Sequence, residues 1–136
     1  MSVFLLVHGA WHGAWCWKRL EGSLQRRGHE PLSITLTGLA DRSHLFSPEI
    51  GLSTHIDDVV SAAKWAELDD FVLCGHSYGG MVISGAAEML EERLRGIIFM
   101  DAFFPQGLRE PVGIDRPTKS RAAFLRTGTI PNRTTE

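Results

Sequence analysis

Gly75-His76-Ser77-Tyr78-Gly79 is the stretch of this chain best suited to chemistry. The apolar run Phe71-Val72-Leu73-Cys74 enters it as a buried strand would, and Gly79-Gly80-Met81-Val82-Ile83 leaves it like the first turns of a helix. A strand–turn–helix corner of this kind is a nucleophile elbow, which presents a serine hydroxyl above the sheet. Glycines two before and two after the serine let the strand and helix backbones approach closely. The chemistry this implies is attack by Ser77 on a carbonyl carbon, which needs donors for the developing oxyanion and a base for the hydroxyl proton. The donors are legible. His8-Gly9-Ala10-Trp11-His12-Gly13 follows an apolar run, and the backbone N–H groups of Ala10 and Tyr78 are the candidate oxyanion hole. The base is not. The six histidines are His8, His12, His29, His44, His55 and His76, so none follows Ser77, whereas enzymes of this architecture take their base from later in the chain.

Other reactive side chains have plainer readings. Asp101 ends an apolar run, where catalytic groups of open parallel sheets sit. It is the candidate orienting acid, and capping of nearby amides competes with that role. His8 and His12 lie in a glycine-rich loop with no carboxylate or cysteine beside them, so a metal site is not expected. His76 neighbours the nucleophile on a sharp turn, where its side chain points away from that of Ser77, and is read as packing. Cys74 is read as buried and inert. Cys16, Trp11, Trp15 and Trp17 are expected to pack a first helix against the sheet and to wall a pocket.

The elements that position these residues alternate. Val3 to Val7 reads as a parallel strand covered on both faces. Trp17 to Arg27 reads as a helix with Trp17, Leu20 and Leu24 on one face and Gly28 as its stop. Pro31 to Ile34 is a short second strand, and Thr35 to Gly51 a long polar loop. A helix capped by Ser53 or Thr54 runs to about Glu67 with Ile56, Val59, Val60 and Ala63 inward. Phe71 to Cys74 is the third strand, Tyr78 to Arg93 the elbow helix, and Gly96 to Met100 the fourth strand. This predicts an α/β fold with a mostly parallel sheet and right-handed crossovers; the strand order expected for it is second, first, third, fourth. Composition changes after Gly107. Leu108 to Glu136 carries five arginines, one lysine and three prolines with no histidine, tryptophan or cysteine. Residues 1–107 are read as the domain, and 108–136 as a poorly packed tail with at most one short helix, in which only Ala122-Ala123-Phe124-Leu125 looks able to bury anything.

With 43% hydrophobic and 22% charged residues and a formal net charge of −2, the 136-residue chain reads as globular, with neither a nucleic-acid nor a membrane partner. No apolar run reaches the length of a membrane span. Met1 to Val7 lacks a basic leader, and two cysteines make no disulfide framework, so a cytoplasmic setting is expected.

Val7-His8-Gly9-Ala10-Trp11-His12-Gly13-Ala14-Trp15-Cys16-Trp17, Leu36-Thr37-Gly38-Leu39-Ala40-Asp41-Arg42-Ser43-His44-Leu45 and Gly75-His76-Ser77-Tyr78-Gly79-Gly80-Met81 together resemble the α/β-hydrolase superfamily. The nearest branch is that of small carboxylesterases similar to plant methylesterases, salicylate-binding esterases and hydroxynitrile lyases. The match runs from about Val3 to Gly107. The resemblance implies the N-terminal part of an α/β-hydrolase fold, with Ser77 as nucleophile, Ala10 and Tyr78 amides as oxyanion donors, and no cofactor. Lyases of the branch usually have threonine at the position of Gly9 and often glutamate at that of His76, so this chain follows the esterase pattern. Family members continue through a cap, further strands, an acid and a histidine, and the tail does not resemble that continuation. A truncated, frameshifted or partly recorded product is one explanation.

The expected function is therefore hydrolysis of a small-molecule carboxylic ester, impaired in this chain by the missing base. Two other readings stay open. One is a non-catalytic domain binding an apolar ligand. The other is a half-domain that assembles as a homo-oligomer through the exposed edge of the fourth strand.

Overall fold

Val3–Val7 forms β1 and is apolar throughout because both of its faces are covered. The computed structural model describes residues 1–105 and the backbone of Ala123–Thr127. After β1 a 3₁₀ turn at Ala14–Trp17 leads into α1, Lys18–Arg26, and Gly28 ends it at φ +81°. A left-handed backbone there is open to glycine at little steric cost. Then come β2 (Glu30–Ile34), a 3₁₀ segment (Ala40–Leu45) and α2 (Leu52–Trp65). The cap of α2 lies earlier than Ser53 or Thr54. Gly51 is the capping residue, and its N–H donates to Thr54 Oγ1 at 3.2 Å, so the threonine closes the first turn from inside the helix. The chain continues through β3 (Phe71–His76), α3 (Gly79–Leu90), one 3₁₀ turn (Glu91–Arg93) and β4 (Leu94–Met100).

All strand pairs are parallel, and the first four strands take the expected order β2-β1-β3-β4. A fifth strand, β5 (Ala123–Thr127), lies beyond β4, with Gly96 opposite Ala123 and Met100 opposite Thr127. One expectation changes with it: the edge of β4, expected to be exposed, is occupied by the extended Ala123–Thr127. An uncovered edge is a row of unpaired N–H and C=O groups, and a parallel neighbour satisfies them. Residues 106–122 and 128–136, with the expectation that the tail packs poorly, lie outside the described residues.

Side chains alternate across the sheet and build two clusters. Leu5, Val7, Phe71, Leu73 and Ile97 face Val59 and Ala63 of α2 and Val82, Ile83, Ala86 and Leu90 of α3. Leu6 and Cys74 face Trp17, Leu20 and Leu24. Each fully buried large apolar side chain contributes about 2 kcal/mol. The first cluster has thirteen buried members and the second three, so the α2/α3 face carries most of the hydrophobic stabilisation. Among the described residues no helix is long and apolar enough to cross a membrane.

Candidate active site

Ser77 stands at the corner between β3 and α3 with φ 52°. That region is costly for a residue with a Cβ, so the surroundings must impose it. They do so by close backbone contact. A Cβ on Gly75 would stand 2.7 Å from the Gly79 carbonyl oxygen, and one on Gly79 2.6 Å from that of Val7. At these two positions β3, α3 and β1 close on one another with no room for a side chain. The Ser77 carbonyl accepts from the N–H groups of Gly80 and Phe103, both at 3.0 Å, which ties the corner to α3 and to the segment leaving β4.

The loop after β1 lies directly against the elbow. A Cβ on Gly9 would be 2.9 Å from Ser77 Cβ. The Gly9 carbonyl is held twice, by His8 Nδ1–H at 2.7 Å and by the His12 N–H at 3.3 Å. A planar trans peptide sends its N–H opposite to its C=O, so pinning this carbonyl also aims the Ala10 N–H. His12 Nδ1–H in turn donates to the Ala10 carbonyl at 2.8 Å. Among the described residues neither the Ala10 nor the Tyr78 N–H makes a hydrogen bond, so both donors stay unspent beside Ser77.

His8 is fully buried, and both of its nitrogens are used. Nε2 accepts the Leu36 N–H at 3.0 Å, which leaves the proton on Nδ1 for the Gly9 carbonyl. Burial holds its pKa below the ordinary 6.5. The Gly9 carbonyl and Asp41 oppose that shift, and His12 and His55 add to it. With no free nitrogen, His8 cannot pair with His12 around a metal. Among the described residues no three of His, Cys, Asp and Glu gather to hold one.

His76 shares the α1 face of β3 with Cys74, and its ring meets Trp17 and His12 edge-on, with centroids 6.4 and 6.2 Å apart. Burial pushes the Cys74 thiol up to about 12, and its Sγ lies 3.2 Å from Met100 Sδ. Asp101 is exposed at the end of β4 with φ 44°. Two of the tryptophans correct the sequence reading. Trp17 packs as expected, but Trp11 is 91% exposed and Trp15 56%, because the short turn between β1 and α1 carries them outward.

Sequence reasoning also missed His55, on the buried side of α2. Its Nε2–H donates to the Thr37 carbonyl at 2.9 Å, and its Nδ1 lies 2.8 Å from the Tyr78 hydroxyl. Burial raises the Tyr78 pKa, which keeps the phenol a donor. Asp58, one turn along, accepts both the N–H and the hydroxyl of Thr37 at 2.7 Å. The signal was present as two polar residues three apart on the inward stripe formed by Ile56, Val59 and Ala63, where polar groups need partners.

Residues 4–134 match the family model described as alpha/beta hydrolase family. A carbendazim-hydrolyzing esterase from Nocardioides sp. (strain SG-4G) is 46% identical over 106 residues, covering 78% of this chain and 44% of that protein. Methylesterase 10 of Arabidopsis thaliana is 36% identical over 104 residues, covering 75% and 38%. Among solved structures, an extracellular alpha/beta-hydrolase from a Paenibacillus species is similar with TM-score 0.72 and 30% identity, over 77% of this chain and 42% of that one. It is described as sharing structural and functional homology with tobacco salicylic acid binding protein 2. The chain spans 38–44% of the length of these relatives.

Proposed function

We propose, since the chain belongs to the alpha/beta hydrolase family, that Ser77 is the nucleophile of an ester-cleaving acyl transfer. Ser77 Oγ attacks the ester carbonyl, and its proton ends on the oxygen of the departing alcohol. The Ala10 and Tyr78 amides hold the oxyanion, the alcohol leaves, and water then releases the acyl group. The observation that carries this reading is the left-handed Ser77 with the Gly9 loop packed against its Cβ and two unspent amides beside it. Asp101 is the carboxylate proposed to orient a base. The substrate class is a small-molecule ester, and the methylesterase and carbendazim-hydrolyzing relatives make methyl esters and carbendazim the first to try.

Neither buried histidine next to the elbow is free to act as the base. His8 and His55 have both nitrogens engaged, and no histidine follows Ser77 in the chain. Loss of the histidine alone costs a comparable serine hydrolase on the order of 10⁶ in turnover, so this chain by itself is expected to turn over slowly.

The test is labelling of the purified chain by a fluorophosphonate, with Ser77→Ala as control, beside turnover of a short-chain aryl ester. Slow labelling that disappears in Ser77→Ala supports the reading. Absence of labelling from a folded chain overturns it. A second reading, a domain that binds an apolar ligand without chemistry, is favoured by the exposed Trp11, Trp15, Phe46 and Phe103. Binding of that kind survives Ser77→Ala.

A further inference from the structure

The residues that follow β2 take no part in the chemistry above, yet their polar groups are spent on the two segments that carry the oxyanion amides. The Leu36 N–H donates to His8 Nε2 at 3.0 Å, and His8 Nδ1–H donates to the Gly9 carbonyl at 2.7 Å, the other end of the peptide that bears the Ala10 N–H. The Thr37 carbonyl accepts from His55 Nε2–H at 2.9 Å, and His55 Nδ1 lies 2.8 Å from the hydroxyl of Tyr78, whose own N–H is the second donor. Two buried imidazoles thus run from adjacent residues to the two halves of the hole. With Nε2 bearing the proton toward Thr37, the ring accepts the Tyr78 O–H at Nδ1. The two rings carry their protons on opposite nitrogens.

The dipeptide is itself fixed from α2. Asp58 takes the Thr37 N–H on one carboxylate oxygen and the Thr37 hydroxyl on the other, both at 2.7 Å. Arg42 Nη1 lies 3.8 Å from the same carboxylate and donates to the Thr35 carbonyl at 2.9 Å. Charge-assisted bonds of this kind are shorter and stronger than neutral ones.

We infer that Asp58, by clamping the Leu36-Thr37 dipeptide, positions both oxyanion amides, through His8 for Ala10 and through His55 for Tyr78. Asp58, His8 and His55 are positioning residues in this scheme and touch no reacting atom. The inference rests on the reading of those two amides as the oxyanion donors. Its physical consequence is coupling. A disturbance at Asp58 reaches Ala10 and Tyr78 together, although the two amides belong to different loops with no covalent neighbour in common.

The experiment is NMR of the ¹⁵N-labelled 136-residue chain as wild type, Asp58→Asn, Tyr78→Phe and, as control, Asp57→Asn at an exposed position of α2. Wild-type imidazole nitrogens should report an Nδ1–H tautomer for His8 and an Nε2–H tautomer for His55. Asp58→Asn should move the Ala10 and Tyr78 amide resonances together, Tyr78→Phe should leave that of Ala10 in place, and Asp57→Asn should move neither. Fluorophosphonate labelling of Ser77 should slow in Asp58→Asn by up to about 10²-fold, the penalty for a misplacement of roughly 1 Å at such a site. Movement of only one amide in Asp58→Asn, or of neither, overturns the coupling, as does the opposite tautomer on either ring. Where Asp58→Asn does not fold, Thr37→Val removes one of the two clamping bonds and is held to the same standard. If wild type is never labelled while the amides still move as a pair, the ester-cleaving reading fails and the positional coupling stands.

Discussion

The elbow and the loop after β2 converge on Ser77 and Tyr78 but are held by different forces. At the elbow the constraint is exclusion. Gly75 and Gly79 sit so close to the backbones of α3 and β1 that no side chain fits, and the geometry is set by what cannot be there. After β2 the constraint is attraction. Thr35 bridges the Ala14 N–H and Asp41, Leu36 holds His8, and Thr37 holds Asp58 and His55. Steric exclusion is short-ranged and all-or-none, so it fixes a corner sharply. A hydrogen-bond network yields by increments and can join residues far apart in the chain.

That contrast can be broken or sharpened by experiment. The largest effect is expected from Gly79→Ala, whose methyl would stand 2.6 Å from the Val7 carbonyl oxygen. Overpacking of this kind should cost about 3 kcal/mol or more. A denaturant midpoint close to wild type would mean that β1 and α3 can move apart and that exclusion does not hold the corner. Asp58→Ala should cost less, about 2 kcal/mol, because it strands the Thr37 N–H and hydroxyl without removing them. Urea melts of the two variants give the ranking directly.

Acid should come next. Burial lowers the His8 pKa below 6.5, so the unfolded chain binds this proton more readily than the native one. The stabilisation is complete above that pH and is lost as pH falls below it. Urea midpoints at a series of pH values should show this slope, and His8→Gln, which can still donate and accept, should flatten it. An unchanged slope would place the acid sensitivity elsewhere. Arg95→Ala should do least. Arg95 reaches Asp70 with Nε 3.1 Å from Oδ1, a contact spanning 25 positions, but the pair is exposed and solvent screens it. A midpoint shift as large as that of Asp58→Ala would mean that burial is not what gives the loop network its weight.

The same difference explains what was legible in the sequence. Exclusion leaves a local mark. Glycines at fixed offsets from Ser77 announced the corner, continuous apolar runs announced strands covered on both faces, and the alternation of helix and strand announced a parallel sheet. Attraction at long range leaves none. Leu36 and His8 are 28 positions apart, and Thr37 and Asp58 are 21 apart, so nothing in either segment names its partner. Thr35 to Gly51 therefore read as an undifferentiated polar loop. β5 escaped for a similar reason, because the free edge of β4, rather than local pattern, accounts for Ala123–Thr127 being extended. Trp11 and Trp15 misled because large aromatic residues are ordinarily buried, whereas the turn that brings Gly9 against Ser77 throws them outward.

The backbone angle at Ser77 bears on what its side chain is for. A left-handed φ penalises any residue with a Cβ by about 1–2 kcal/mol, and glycine is spared that cost. Folding alone would thus favour a glycine at the one position that carries the hydroxyl. The hydroxyl at 77 is therefore carried at a conformational cost that the close packing of β1, β3 and α3 around it must offset.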